Sequence, residues 1–363
     1  MTRVLLVHQP IDGGVARHVA DLTAGLPERG YEVTLCGPGL PEGVPADTPH
    51  ARLALGRAVA PGADAAAAWR FARLVSDLEP DLIHAHSSKA GAVARLSRVL
   101  TRKAPVLYTP HGYAFAGYFE RELERRVYRE AERALGGLTS MVVAVCEAEA
   151  RLARTVAPTD RVRVVHNGID STGEGPADER ILSLAERGPV ICTLTLLRPG
   201  KGVETLIDAM PTVLSRAPSA QLAIVGGGPD RHALEERSRK RGVHTAAHFL
   251  GPSTEPLAAL RAADVFVLPS WAEAFPYVIL EAMSVGRAIV ASDIGGIGEA
   301  IENGRSGVLV APRDPPALAH ALVGVLEDGA LRDRLGDAAH RRVAERFTLE
   351  RMLDGTARVY GEL

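Results

Sequence analysis

The clearest fold signal in this chain of 363 residues is the stretch PSWAEAFPYVILE, residues 269–281. The apolar run DVFVL directly before it predicts a short buried strand. Pro276 is suited to the first turn of a following helix, and Gly286 is placed to end that helix. The stretch is therefore read as a strand-to-helix connection, with polar residues at the carboxyl end of a strand.

Two carboxylates of this stretch, Glu273 and Glu281, are candidate ligand-binding groups. Glu273 is expected in the loop, where its plain alternative role is to offset the helix dipole. Glu281 is expected inside the helix among apolar residues, where a carboxylate is costly unless hydrogen bonds satisfy it. The vicinal hydroxyls of a ribose would supply those hydrogen bonds, and a structural arginine partner would do so equally well.

These glutamates, separated by seven residues in the setting Glu-Ala-Phe-Pro…Leu-Glu-Ala-Met, resemble the retaining glycosyltransferases of family 4. The resemblance runs from Gly13-Gly14 to the last helix. It implies that Glu273 faces the sugar of a nucleotide-sugar donor and that Glu281 binds the ribose. It also implies an α/β protein with the GT-B fold, in which two Rossmann-like, doubly wound parallel-sheet domains face each other across a cleft.

Composition narrows the class of protein. Hydrophobic residues make up 46% of the chain and charged residues 24%, and the formal net charge of −2 argues against a general affinity for nucleic acid. The chain starts directly in a strand-like run, and no signal peptide or membrane-span-length apolar run is evident. Cys36, Cys146 and Cys192 lack metal-ligand spacing, so we expect reduced thiols in a cytoplasmic protein.

Short apolar runs alternate with helical patterns along the chain, which predicts parallel sheets wrapped by helices. The runs expected as strands are 4–8, 33–37, 82–86, 106–109 and 141–146 in a first sheet, and 190–197, 221–225, 265–269, 288–292 and 308–310 in a second. Helical spacing predicts a first helix over 15–26 and a last helix over about 349–360.

A stretch rich in Gly, Pro and acidic residues at 171–178 interrupts this alternation, and we place the interdomain linker there. The predicted domains are an acceptor-binding domain, 1–170, and a nucleotide-sugar-binding domain, 171–345. Ligand is expected at the carboxyl ends of the strands. By the family resemblance, 346–363 is a helix that crosses back to the first domain.

Two features of the first domain match family motifs. Gly13-Gly14 opens the first helix, where a backbone without side chains and a helix N-terminus favour an anion; in the family this loop closes over the donor phosphate and sugar. His111, in Thr-Pro-His-Gly after a predicted strand, matches a histidine that lies beside the donor sugar. A plain turn and a hydrogen-bonding histidine are the structural alternatives. His84 and His86 share one strand face, but no third metal ligand is evident, so we expect structural roles for both.

Two cations follow the first strand of the second domain. Arg198 and Lys201 would there stabilise a diphosphate leaving group as its charge develops, as an Arg and a Lys do in the family. Lys201 matches the family pattern. The commoner arrangement places the Arg five residues before the Lys, where this chain has Leu196, so Arg198 is a variant placement.

The segment Phe275-Pro276-Tyr277 begins the helix whose amides would face the donor phosphates. Because Pro276 has no N–H, the donors would be the amides of Phe275, Tyr277 and Val278. Gly295-Gly296, followed by Glu299, resembles a later family motif, to which we assign a loop-and-cap role.

Two absent motifs exclude other chemistries. The chain contains no Asp-x-Asp, the pair with which glycosyltransferases of the other main fold hold a divalent ion, so we predict no metal and no cofactor. It also contains no Gly-x-Gly-x-x-Gly; the nearest match, Gly226-Gly227-Gly228, has Arg231 at the place of the third glycine. A dehydrogenase is therefore disfavoured.

No carboxylate occurs between Asp81 and Glu120, and five cations lie in that window on or beside a predicted helix: Lys89, Arg95, Arg98, Arg102 and Lys103. A solvated basic face is the favoured interpretation. The alternative is peripheral contact with an anionic membrane, or with a lipid diphosphate acceptor, at the inner face of the cell membrane.

Together these features predict a retaining, metal-independent hexosyltransferase. We expect it to move a hexose from a nucleotide-sugar, with UDP as the expected nucleotide, to a glycan or lipid-linked saccharide in cell-surface polysaccharide or glycoconjugate biosynthesis. The alternatives are a sugar-nucleotide epimerase of the same fold and a non-catalytic nucleotide-sugar-binding protein.

Overall fold

The computed structural model describes residues 1–56, 60–101, 104–116, 121–170 and 173–363. The chain divides into two compact units. Unit 1 contains Met1–Asn167 and Leu349–Leu363, and unit 2 contains Gly168–Thr348.

Unit 1 is a seven-stranded parallel sheet with the strand order β3-β2-β1-β4-β5-β6-β7. The strands are β1 (Thr2–His8), β2 (Tyr31–Gly37), β3 (His50–Arg52), β4 (Leu82–His86), β5 (Val106–Thr109), β6 (Met141–Ala144) and β7 (Val162–Val164). The helices between them are α1 (Gly13–Gly25), α2 (Pro61–Leu78), α3 (Ser88–Thr101), α4 (Glu122–Gly136) and α5 (Glu147–Ala153), with 3₁₀ turns at Pro27–Arg29 and Thr159–Arg161.

Unit 2 is a six-stranded parallel sheet with the strand order β10-β9-β8-β11-β12-β13. Its strands are β8 (Val190–Leu194), β9 (Gln221–Val225), β10 (Ala247–Gly251), β11 (Val265–Leu268), β12 (Ala288–Ser292) and β13 (Val308–Val310). Its helices are α6 (Glu179–Ala185), α7 (Val203–Arg216), α8 (Arg231–Lys240), α9 (Pro256–Arg261), α10 (Tyr277–Ser284), α11 (Ile297–Ala300), α12 (Pro315–Glu327) and α13 (Gly329–Arg346); α14 (Leu349–Tyr360) follows and belongs to unit 1.

The ten predicted strands are all confirmed, as is the fold class of two Rossmann-like parallel-sheet domains. Three further strands, β3, β7 and β10, were not predicted. Each lies at the edge of its sheet, so it pairs on one side only. A central parallel strand is covered on both faces, so its sequence is a continuous apolar run. A short edge strand can contain polar residues, so its sequence does not show this pattern.

The last helix completes the core of unit 1. Met352, Leu353 and Tyr360 of α14 are buried against residues of β1, β2 and β4. The Tyr360 hydroxyl lies 2.7 Å from Nδ1 of His84, whose Nε2 lies 2.8 Å from the Thr109 hydroxyl. His84 is therefore a structural hydrogen-bonding residue, as the sequence analysis expected.

The cations of α3 do not form a solvated basic face, which corrects that prediction and removes its support for membrane contact. Arg95 is 1% exposed and pairs with Glu132 at 2.8 Å. Arg98 donates to the carbonyl of Leu138 and to Ser140, and Lys89 pairs with Asp64 at 2.8 Å. Arg102 and Lys103 lie outside the described residues.

Two further observations concern the cysteines and the hydropathy of the helices. Cys36, Cys146 and Cys192, all in the described ranges, are buried and form no disulfide. Across those same ranges, no helix combines the length and the hydropathy needed to cross a bilayer.

The buried Arg95–Glu132 pair generates a stability prediction. The Arg95 guanidinium lies 4.0 Å from the centre of the Tyr108 ring, and the Tyr108 hydroxyl donates to Glu132 at 3.1 Å. Arg95→Ala leaves the Glu132 charge buried without its cation, so we expect a loss of about 3–5 kcal/mol in the free energy of unfolding of unit 1.

Chemical denaturation measures this loss. Arg126→Ala is the matched control, because Arg126 pairs with Glu122 on the exposed surface of α4 and such pairs contribute about 1 kcal/mol or less. Equal stability of Arg95→Ala and the parent would show that the buried pair does not hold α3 and α4 together.

Candidate active site

Two loops at the carboxyl ends of β8 and β11 meet in unit 2. Gly202, with φ of 70°, is the N-cap of α7 and lies so close to the second loop that a Cβ there would be 1.9 Å from the Pro269 carbonyl oxygen. The Trp271 amide donates to the Gly200 carbonyl at 2.8 Å. Only glycine fits at position 202, because both its φ and the close approach exclude a side chain.

This contact brings Lys201 and Glu273 together. Lys201 Nζ lies 2.6 Å from Glu273 Oε1, and the Ser270 hydroxyl donates to the same oxygen at 2.9 Å. Both charged side chains are largely buried, with 18% of Lys201 and 11% of Glu273 exposed. The sequence analysis identified both residues but did not predict that they form an ion pair.

A third loop supports Glu273 from the carboxyl end of β12. Gly295 has φ of 52°, and a Cβ there would lie 1.9 Å from the Glu273 carbonyl oxygen. The Gly296 amide donates to the Ala274 carbonyl at 2.6 Å, and Gly296 is the N-cap of α11. The predicted loop-and-cap role of Gly295-Gly296 is confirmed.

Helix α10 begins directly after this carboxylate. Pro276 occupies the N-cap, one residue earlier than the predicted first turn, and the helix starts at Tyr277. The side chains of Phe275 and Tyr277 are buried, so these two rings pack into the core of unit 2. Glu281 is buried in the second turn of this helix with 9% exposure.

Arg198 differs from its neighbour Lys201. Its carbonyl accepts a hydrogen bond from the Lys201 amide at 3.3 Å, but its side chain is exposed. The structure therefore places the Arg198 backbone beside the ion pair without placing the guanidinium in it.

The glycines of Gly226-Gly227-Gly228 pack against the same β8 loop. A Cβ at Gly226 would lie 1.9 Å from the Thr195 carbonyl oxygen, and one at Gly228 would lie 2.2 Å from that of Leu197. Gly226 and Gly228 are thus explained by close backbone approach, with no need for a dinucleotide.

In unit 1, His111 follows β5 in an unusual turn. His111 and Gly112 have φ of 55° and 103°, the left-handed region. The Gly112 amide donates to Glu149 Oε1 at 2.5 Å, and the Val145 amide donates to Glu149 Oε2 at 2.8 Å. Glu149 thereby holds the His111-Gly112 turn.

Glu149 was missed by the sequence analysis, although a signal existed. Cys146 is the N-cap of α5, and its sulfur accepts from the Glu149 amide at 3.3 Å. The Val145 amide in turn donates to the Glu149 carboxylate, which makes this a variant of the capping box. Such a pattern indicates a helix start and not support for a distant loop.

The first helix and two strand ends assemble histidines beside His111. Gly13-Gly14 forms the exposed start of α1, with φ of 72° at Gly13, and His18 lies further along the same helix. His86 Nδ1 lies 3.2 Å from His111 Nε2, and the rings of His18 and His111 are 4.7 Å apart, edge to face. Burial lowers the pKa of His18 to about 4 and holds the pKa of His86 and His111 well below 6.5, so all three rings are neutral at pH 7.

Comparison with known proteins agrees with this architecture. Residues 12–172 match the model described as Glycosyltransferase Family 4, and residues 188–328 match the one described as Glycosyl transferases group 1. Glycogen synthase of Mycobacterium tuberculosis is 31% identical over 389 residues, covering 96% of this chain and 91% of that protein. The chain belongs to glycosyltransferase family 4.

One further relative is similarly close in sequence, and two solved structures share the fold. The phosphatidyl-myo-inositol mannosyltransferase of Mycobacterium tuberculosis is 30% identical, over 92% of this chain and 89% of that protein. Among solved structures, Anabaena HepE in complex with UDP aligns over 100% of both chains with a TM-score of 0.82 at 21% identity. Sucrose-phosphate synthase of Thermosynechococcus elongatus aligns with a TM-score of 0.85 at 23% identity, over 100% of this chain and 99% of that one. These two structures share the GT-B fold of the family.

The environment of Glu149 generates a pH prediction. Burial raises its pKa to about 7, against an ordinary value of 4.5, and the two backbone hydrogen bonds offset only part of this effect. Because the folded-state pKa is raised, the folded state holds a proton that the unfolded state releases, so this stabilisation is complete below about pH 4.5 and is lost as the pH rises to about 7.

We therefore expect the stability of the parent to fall, relative to Glu149→Gln, by about 3 kcal/mol between pH 4.5 and pH 8. Denaturant unfolding at several pH values measures this difference. Glu147→Gln is the control, since it removes an exposed carboxylate from the same helix. A difference that stays constant with pH would contradict the raised pKa.

Proposed function

We propose that this family 4 glycosyltransferase transfers a hexose from UDP-hexose to a glycan or lipid-linked saccharide, with retention at the anomeric carbon, in the assembly of a cell-surface polysaccharide or glycoconjugate. The observation that carries the proposal is the Lys201–Glu273 ion pair just before the N-terminus of α10. UDP is favoured because the solved structures of the similar Anabaena HepE contain UDP or UDP-glucose.

Unit 2 supplies the groups for the donor. Lys201 and the first amides of α10 stabilise the diphosphate as its charge develops, because a cation and a helix N-terminus both favour an anion. A diphosphate beside Lys201 replaces Glu273 as the partner of the ammonium group. Glu273 then faces the sugar, and the buried Glu281 accepts hydrogen bonds from the ribose hydroxyls. Arg198, which is exposed and in the variant placement, is a secondary contributor to binding of the diphosphate.

In unit 1, we assign His111 and the Gly13-Gly14 amides to the donor sugar and phosphate, as the family resemblance implies. Retention follows if departure of the diphosphate leads and the acceptor hydroxyl enters on the same face, with no protein nucleophile. The reaction requires no divalent metal, because Lys201 and the α10 amides take the part that an Asp-x-Asp-bound ion takes elsewhere.

Two other functions use the same donor site. A sugar-nucleotide epimerase would consume the UDP-sugar without any acceptor. A non-catalytic binding protein would have no need for Lys201 beside the position of a leaving group. Nothing in the ion pair favours either of these over transfer.

A donor screen tests the proposal. Purified protein is incubated with UDP-, GDP- and ADP-sugars, with and without oligosaccharide or lipid-linked acceptors, and nucleotide release is measured with EDTA present. We expect UDP release that depends on an acceptor and that EDTA does not reduce. Conversion of the nucleotide-sugar to its epimer in the absence of an acceptor would establish the epimerase. Activity restored only by manganese or magnesium would exclude metal independence.

Lys201→Ala should lower turnover more than it lowers donor affinity. A cation at the departing diphosphate contributes most in the transition state, so we expect a loss of about 2.7–4 kcal/mol, or about 10²–10³ in kcat. Steady-state kinetics measure this effect. Arg216→Ala, which breaks an exposed ion pair with Glu327 in the same unit, is the control. An unchanged kcat with a raised KM would mean that Lys201 binds the ground state and the transition state alike.

Substitution of Glu273 and substitution of Glu281 should have different effects on nucleotide binding and on turnover. Glu281→Ala removes the proposed ribose partner, and hydrogen bonds to a charged group contribute about 1.5–3 kcal/mol, so affinity for both UDP-sugar and free UDP should fall about ten- to a hundredfold. Glu273→Ala should leave UDP binding nearly intact while turnover collapses, because Glu273 is proposed to contact only the sugar.

Calorimetry with free nucleotide and with donor separates the two roles, and thermal unfolding of each variant checks the fold. Since Glu281 is buried, a lowered unfolding temperature would have to be accounted for before its affinity loss is interpreted. Parent-like UDP binding by a folded Glu281→Ala protein would overturn the assigned roles.

A further inference from the structure

Three histidines of unit 1 that are far apart in sequence converge on one point. His18 comes from α1, His86 from the end of β4, and His111 from the turn after β5, and one ring nitrogen of each lies within 4.8 Å of the other two. A metal ion needs at least three histidine, cysteine or acidic side chains whose ligand atoms lie this close together. Among the described residues, these three histidines meet that requirement. The sequence shows only His84 and His86 as neighbours, so the trio is created by the fold.

The separation of two of these nitrogens suits a tetrahedral ion. His86 Nδ1 and His111 Nε2 are 3.2 Å apart. Zinc binds histidine nitrogens at about 2.0–2.1 Å, so two nitrogens at adjacent corners of a tetrahedron lie about 3.3–3.4 Å apart. The pair is therefore already at coordination distance, and the His18 ring has to move inward by about an ångström or more to complete a three-nitrogen site.

The hydrogen bonds around the trio distinguish it from a structural cluster. Both ring nitrogens of His84 have hydroxyl partners, from Tyr360 and Thr109. His86 instead contacts only another ring through Nδ1, and its Nε2 is buried without a hydrogen-bond partner among the described residues. Among the described residues, Nδ1 of His86 therefore has no hydroxyl or carbonyl partner that would compete with an ion, whereas an ion at Nδ1 leaves the cost of the unmatched Nε2 unchanged.

His18 has the orienting contact that histidine ligands usually have. Its Nδ1 lies 3.0 Å from Oδ1 of Asn167, a residue at the end of the first segment of unit 1. Donation from Nδ1 to this amide oxygen leaves the lone pair on Nε2, as in sites where a second residue fixes the tautomer of a metal ligand.

We propose that His18, His86 and His111 form a binding site for Zn²⁺, with a fourth position open to water. Three imidazoles with no carboxylate select a borderline transition metal over Mg²⁺ or Mn²⁺, which prefer oxygen ligands. His111 is half-buried while the other two rings are buried, so an ion enters past His111. The Glu149 carboxyl group accepts from the Gly112 amide and so holds the turn that carries His111.

The site has a consequence for activity that rests on the function proposed above. His111 cannot both coordinate zinc and contact the donor sugar. Zinc is therefore an inhibitor of the transferase and not its cofactor, as the metal independence proposed above requires.

Titration of the metal-free full-length protein with ZnCl₂ tests the site without any donor. Isothermal calorimetry should show one equivalent bound per chain, and Co²⁺ should give the visible absorption bands of a tetrahedral nitrogen-ligated ion. His111→Ala, at the half-buried position, should weaken Zn²⁺ binding by at least about tenfold, the lower end of the effect of losing even a supporting residue. His18→Asn provides a second variant on another element.

His244→Ala is the control, because His244 is exposed in unit 2 and should leave the titration unchanged. The site is overturned if the parent shows no saturable equivalent, or if folded His111→Ala and His18→Asn proteins bind zinc as the parent does. If the parent binds one zinc and the same ion does not inhibit transfer, the role of His111 at the donor sugar is overturned and the metal site stands.

Discussion

The ion pair between Lys201 and Glu273 is the interaction on which the candidate site of unit 2 depends. A cation and a carboxylate 2.6 Å apart and largely withdrawn from water stabilise each other, and each would be costly alone. The pair also keeps Lys201 close to the start of α10 before any ligand arrives. A ligand that carries its own negative charge can take over the ammonium group, so under the proposed function the same contact would prepare Lys201 for a diphosphate.

The pair exists because four loops, those after β8, β9, β11 and β12, approach one another at backbone distance. Gly202 touches the Pro269 carbonyl, Gly295 touches the Glu273 carbonyl, and Gly228 touches the Leu197 carbonyl. A side chain at any of these positions would push the loops apart. The site is therefore specified by glycines that have no chemical role, and the charged groups occupy the space that the glycines define.

In unit 1, a buried carboxyl group holds the loop that carries His111. Glu149 accepts hydrogen bonds from the amides of Gly112 and Val145 and so fixes the left-handed turn at His111. Burial raises the pKa of Glu149 to about 7. The turn directs His111 toward His86 and His18, and in this way one buried acid determines the placement of a cluster of neutral rings. Both units thus use buried polar groups to hold loops at the carboxyl ends of parallel strands.

The sequence by itself determined the strands with two neighbours, the helix that follows Pro276, and the identity of Glu273, Glu281, Lys201 and His111 as candidates. Buried parallel strands and glycine-marked turns are local patterns, so they can be recognised without a structure. Only the tertiary structure decided that Lys201 pairs with Glu273, that Arg95 is buried against Glu132, and that His18 joins His86 and His111. These contacts join residues on different elements, and their partners depend on how the chain packs and not on sequence spacing.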